Sequence, residues 1–81
     1  MSPGQIVFSK AGRDKGTVML VLSIEGEYVF LVDGVLRLVE KPKKKKIKHI
    51  QPTNTVIDLD LPRRLQDADI RKHLRTFLNK I

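Results

Sequence analysis

The chain has 81 residues, 16 Lys or Arg against 9 Asp or Glu, a formal charge of +7 and no cysteine. That length allows one domain, which buries only about 60–65% of its unfolded surface and leaves little room for a deep substrate cleft. Without cysteine there is neither a disulfide framework nor a thiolate metal site, and the longest apolar runs, Val18–Leu22 and Tyr28–Val32, are of strand length, far below the roughly 20 residues that span a bilayer.

In chain order, Gln5–Ser9 is a short β-like run. It is followed by Gly12-Arg13-Asp14-Lys15-Gly16, a turn sequence with glycine at each end. Thr17–Ile24 is rich in Val, Leu and Met and is broken by Glu25-Gly26-Glu27. Val18, Leu20, Leu22 and Ile24 form one row of this strand and are expected to face inward. Met19 and Val21 then point outward and need a cover. Tyr28–Val32 is a second β-rich run, and Asp33-Gly34 after it predicts a type I′ hairpin, with Val35–Val39 as the returning strand. In that strand Leu36 and Leu38 face one side and Arg37 the other.

Between Arg37 and Lys48, seven Lys or Arg stand against a single acid, Glu40. Four consecutive lysines, Lys43–Lys46, repel one another, so this stretch is expected to be a solvated loop that returns to β structure around Ile47–Thr53. Leu61–Gln66, with Pro62, is the expected connector. The period then changes: Ile70, Leu74, Phe77, Leu78 and Ile81 fall on one stripe of a helix, with Asp67 as its N-cap and Asp69 in its first turn. About five short strands and a terminal helix predict a small antiparallel barrel, with the helix covering Met19 and Val21.

A catalytic constellation is not evident. His49 and His73 lie in separate segments, the serines lack an elbow motif, and the pairs Asp58/Asp60 and Asp67/Asp69 suit loop solvation and helix capping. Two histidines without cysteine or clustered carboxylates do not make a closed metal site. The chain is therefore read as a non-enzyme with no cofactor, metal or small-molecule substrate. Two cationic features remain. The glycine-bounded turn with Lys10, Arg13 and Lys15 suits close approach of backbone N–H groups and cations to a phosphate; it equally suits an ordinary β-turn whose glycines supply φ > 0. The run Lys41–Lys48, with Arg37 before it and His49 after it, can neutralise phosphates and release counterions, or serve only as a solvated, solubilising charge run. With four aromatics in the chain, Phe8, Tyr28, Phe30 and Phe77, a base-stacking platform is not expected, and recognition of structured RNA by shape and backbone fits better.

Gly4-Gln5-Ile6-Val7, then Gly12-Arg13-Asp14-Lys15-Gly16, then the apolar run Thr17–Ile24 resemble the KOW motif, with its G-x-x-V, G-x-x-K-G and apolar run. Val32-Asp33-Gly34 and His49-Ile50-Gln51-Pro52-Thr53 extend the resemblance, over roughly residues 4–53, to KOW-containing large-subunit ribosomal proteins of archaeal and eukaryotic type and to their short bacterial RNA-binding relatives. The resemblance implies a five-stranded SH3-like barrel that contacts RNA through the loop carrying Lys10, Arg13 and Lys15 and through the basic segment leading into the last strand.

The expectation is thus a mainly β protein: an SH3-like antiparallel barrel of KOW type over residues 1–60, with a connector and packed C-terminal α-helix over 61–81 of the same domain. It is expected to bind structured RNA, ribosomal or ribosome-associated, through Lys10, Arg13, Lys15, Arg37, Lys41, Lys43, Lys44, Lys45, Lys46, Lys48 and His49. Ribosomal proteins are further expected partners. A monomer when free is expected, as is a cytoplasmic location, since no signal peptide is read at the N-terminus. The rivals are a protein-interaction module docking on a ribosomal or transcription protein and, more weakly, binding to anionic membranes.

Overall fold

The computed structural model describes residues 1–60 and 64–81. Five strands form one antiparallel sheet: β1 (Gln5–Ser9), β2 (Val18–Glu25), β3 (Tyr28–Val32), β4 (Lys43–Lys46) and β5 (Ile50–Val56). Their spatial order is β4-β3-β2-β1-β5. A 3₁₀ turn, Ile47–His49, joins β4 to β5, and the helix α1 covers Asp67–Leu78. The mainly β class and the C-terminal helix are as expected. The ladder is not closed, because β4 and β5 stand at its two ends.

Both faces of the sheet are buried. On one, Val7, Met19, Val21, Val29, Leu31 and Ile50 form a core cluster with Ile24 and Ile47 against it. Residues of β1, β2, β3 and β5 meet there, so the sheet curls around this face. On the other, Ile6, Leu20 and Val32 pack with Leu65, Ile70 and Leu74.

The two rows of β2 are therefore placed oppositely to expectation. Met19 and Val21 lie inside the curl, whereas α1 covers the Leu20 row. A bulge explains why Ile24 leaves that row: the pairing shifts between Val21↔Leu31 and Ser23↔Phe30, and this added residue carries Ile24 to the Met19 side.

The expected Asp33-Gly34 hairpin does not form. Among the described residues no non-glycine residue has positive φ, which excludes a type I′ turn with Asp33 at its first central position. Instead Asp33 Oδ1 accepts the backbone N–H groups of Val35, Leu36 and Arg37 at 2.9, 3.0 and 2.9 Å. Local bonds thus consume the donors that a returning strand would offer to the ladder. Leu36 and Leu38 are exposed and Arg37 half-buried, on a turn and not on the expected strand. Gly34, at φ +79°, passes so close to α1 that a Cβ would lie 2.5 Å from the Asp67 carbonyl oxygen.

The returning strand is β4, the lysine run itself, paired Tyr28↔Lys46, Val29↔Lys45, Phe30↔Lys44 and Leu31↔Lys43. The expected solvated loop is overturned for a geometric reason. Strand pleating sends successive side chains to opposite faces, so neighbouring ammonium groups diverge. Edge strands also tolerate lysine well, because its charged end stays in water.

The helix stripe holds at Ile70 and Leu74, which are buried, and at Phe77, whose ring centroid is 6.0 Å from that of Phe8. Leu78 and Ile81 are 43% and 78% exposed and fall outside the packing. The N-cap is Gln66, not Asp67; the Gln66 N–H donates to Asp69 Oδ2 at 2.9 Å. Asp67 Oδ1 instead accepts the Val39 N–H at 2.9 Å, tying the helix start to the segment after β3. Of the expected connector, residues 61–63 lie outside the described residues, and Leu65 is buried on the helix side.

Candidate nucleic-acid interface

The Gly12–Gly16 loop is shaped by its own backbone. Lys15 N–H reaches the Gly12 oxygen at 3.3 Å, Thr17 N–H the Asp14 oxygen at 2.9 Å, and Gly16 N–H the Ser9 oxygen at 2.8 Å. Both glycines have positive φ. Arg13 and Lys15 project from this loop into solvent.

Asp14 turns the other way and holds the loop against β4. Its Oδ1 accepts from Lys45 Nζ at 2.8 Å, and the same ammonium donates to the Ala11 carbonyl at 2.8 Å. The Ser9 hydroxyl lies 3.1 Å from that carboxylate oxygen and 3.0 Å from the Ala11 oxygen. The Lys45 and Asp14 side chains are only 9% and 20% exposed. Among the described residues, Asp14 Oδ2 is buried without a hydrogen-bond partner. Burial alone would raise the Asp14 carboxyl; the hydrogen bonds from Lys45 and Ser9 and the Lys45 charge outweigh it and hold the group below its ordinary value.

Residues directly paired across an antiparallel ladder share a face. Lys43 and Lys45, opposite Leu31 and Val29, thus belong to the inner side; Lys44 and Lys46, opposite Phe30 and Tyr28, belong to the outer. Lys44 Nζ sits 4.5 Å from the Tyr28 ring centroid, a cation–π contact. The inner-side lysines meet the glycine-bounded loop at an open concavity of ≈ 370 Å³, whose walls include Arg13, Arg37, Lys43 and Lys45. Met19 and Thr17 back it, and Asp14, Asp33 and Leu36 complete it.

The two cationic elements, treated as separate in the sequence, therefore converge on one face. Of the candidate contact residues, Arg13, Arg37, Lys43 and Lys45 share the concavity. Lys45 is engaged by Asp14, so its charge is largely spent within the fold. Lys46 and Lys48 line a second hollow with Glu27 and Ile47. Lys10 is exposed and its backbone N–H donates to the His49 oxygen at 2.7 Å, which joins the loop to the start of β5. Lys15, Lys41 and Lys44 are exposed outside both hollows.

Sequence reasoning missed Asp14, Asp33 and Leu36 as parts of this face. An acid inside an otherwise basic loop was the available signal for Asp14. Asp33 was absorbed into a hairpin assignment. Among the described residues no group of three or more His, Asp or Glu side chains is placed to hold a metal ion, and no helix is long and apolar enough to cross a membrane. The chain matches no protein-family model.

Proposed function

We propose that this protein binds structured RNA by backbone electrostatics, in a translation setting, with ribosomal or ribosome-associated RNA as the target. The carrying observation is the convergence of Arg13, Arg37 and Lys43 on one concave face, with exposed Lys44 and Lys46 on the other side of the strand that carries Lys43. Charges of one sign held on a fixed scaffold attract a polyanion and contact phosphates with little loss of side-chain freedom. The net charge of +7 supports the same reading.

The finer fold reading, an SH3-like barrel of KOW type, belongs to this proposal. In its favour, β1 lies between β2 and β5, which returns the last strand beside the first. The glycine-bounded motif also forms a rigid loop at the cationic face, where the resemblance puts RNA contact. The role proposed is binding without catalysis, by a cytoplasmic protein that is monomeric when free, with ribosomal proteins as further neighbours.

The test is an RNA titration at several salt concentrations. About four to six neutralised phosphates give a log–log slope on the order of −3 to −5. A flat titration would overturn the proposal. It would favour the second reading, a module docking on a ribosomal or transcription protein, for which the exposed Val35 and Leu36 are the supporting observation.

A further inference from the structure

The concavity differs from a simple phosphate groove. Leu36, 82% exposed, stands at its wall, and Met19 backs its floor. An apolar side chain so exposed is normally free to sway. Here the backbone beneath it is fixed twice. Asp33 Oδ1 gathers the N–H groups of Val35, Leu36 and Arg37, and the Asp33 and Gly34 N–H groups both donate to the Arg37 oxygen, at 3.0 and 3.1 Å. The Gly34 carbonyl is in turn held by the Arg71 guanidinium of α1 at 2.6 Å. The result is an apolar wall on a rigid turn, ringed by Arg13, Arg37 and Lys43.

Resting on the RNA-binding reading, we infer that this concavity receives one unpaired nucleotide of the target, its base against Leu36 and its phosphates on Arg37 and Lys43. Three features of the site match that ligand. Its volume, ≈ 370 Å³, lies within the range of small-molecule pockets, about 300–1,000 Å³. A nucleotide joins an apolar, planar base to an anionic backbone, as this site joins an apolar wall to a cationic rim. An extrahelical base packs on apolar side chains, which Leu36 supplies, while Arg37 next to it and Lys43 take the phosphates. Asp14 is occupied by Lys45 and Ser9, but the Asp33 carboxylate in the same wall, whose Oδ1 holds three backbone N–H groups, keeps Oδ2 as an acceptor and does not donate when ionised. It therefore favours a base with an exocyclic amino group. A regular duplex offers no unpaired base to enter the concavity, so the target is a structured RNA with a bulge or a flipped residue.

The probe is a pair of RNA hairpins of one stem sequence, one fully paired and one with a single bulged adenosine, measured by fluorescence anisotropy at fixed salt. The bulged hairpin is expected to bind about tenfold tighter, equal to about 1.4 kcal/mol. Leu36→Ser, a change at an exposed position, is expected to remove most of that preference, read as the ratio of the two hairpin affinities. Val56→Ser, which removes a 55% exposed apolar side chain on β5, is expected to keep the preference. Methyl NMR gives an independent readout: the Leu36 methyl signals should move upfield, by the ring current of the base, with the bulged hairpin alone. Equal affinity for the two hairpins, or a preference that survives in Leu36→Ser, overturns the inference and leaves RNA binding standing. Failure to bind either hairpin at low salt overturns both.

Discussion

The Asp14–Lys45 pair fastens the glycine-bounded loop to the lysine strand, and a double-mutant cycle measures how strongly. Exposed pairs contribute about 0.2–1 kcal/mol, whereas breaking a fully buried pair costs about 3–5 kcal/mol. With side chains 9% and 20% exposed, this pair lies between those limits. Lys45→Met strands a carboxylate that already has one unpartnered buried oxygen, and should cost about 2–3 kcal/mol. Asp14→Asn keeps the shape but leaves the ammonium without a countercharge, at about 1–2 kcal/mol. The double variant removes both charges and should be less destabilised than the sum of the two by more than about 1 kcal/mol. The assay is chemical denaturation followed by circular dichroism, repeated across pH. The folded-state carboxyl is held below its ordinary value, so its ionisation stabilises the fold fully above the unfolded value of about 3.9, and that contribution is lost as pH falls through the lower folded value. The gap between wild type and Asp14→Asn should therefore narrow on acidification. Additive single effects, or a gap constant with pH down to strong acid, would refute the latch.

Ile70→Ala, at a fully buried helix position against Leu20 and Val32, should destabilise by about 2–5 kcal/mol and lower Tm by on the order of 10–30 °C, read by calorimetry, whereas Leu78→Ala should change Tm little. Gly34→Ala meets both a positive φ and the Asp67 carbonyl, and should cost about 2 kcal/mol or more in denaturant unfolding. Combining Arg13→Ala with Lys43→Gln should reduce the magnitude of the salt slope for RNA by about 1.4–1.8, at about 0.7–0.9 for each lost phosphate contact; an unchanged slope would place the phosphates elsewhere.

The elements with strong local signals were legible. β1, β2 and β3 lie within a residue of the expected runs because glycine-containing breaks bound them, and α1 follows its 3.6-residue stripe through Leu74 and Phe77. Burial of both faces of the sheet was less legible. Both rows of β2 are apolar, so alternation alone could not say which lay inside the curl. The bulge at Leu22, which decides the side of Ile24, leaves no mark in composition. Asp33-Gly34 carried two competing instructions, a hairpin turn and a side-chain cap for the next three N–H groups. The second prevailed because Asp33 stays at negative φ and its carboxylate binds locally.

The lysine run shows why the candidate site was only half visible. Repulsion between neighbours in sequence argued for a loop, but repulsion acts through space, and pleating sets alternate lysines on opposite faces. Each of the two faces then has its own compensation: Asp14 neutralises Lys45 on one, and the Tyr28 ring lies under Lys44 on the other. Those partners are 31 and 16 positions away in the sequence, so no local pattern announces them. The consequence reaches the proposed function. A mobile lysine loop would give affinity with no preferred arrangement of phosphates. Lysines on a paired strand, fixed beside Arg13 by an internal ion pair, offer phosphates a defined spacing. Recognition of RNA by the shape of its backbone requires that kind of rigid charge array.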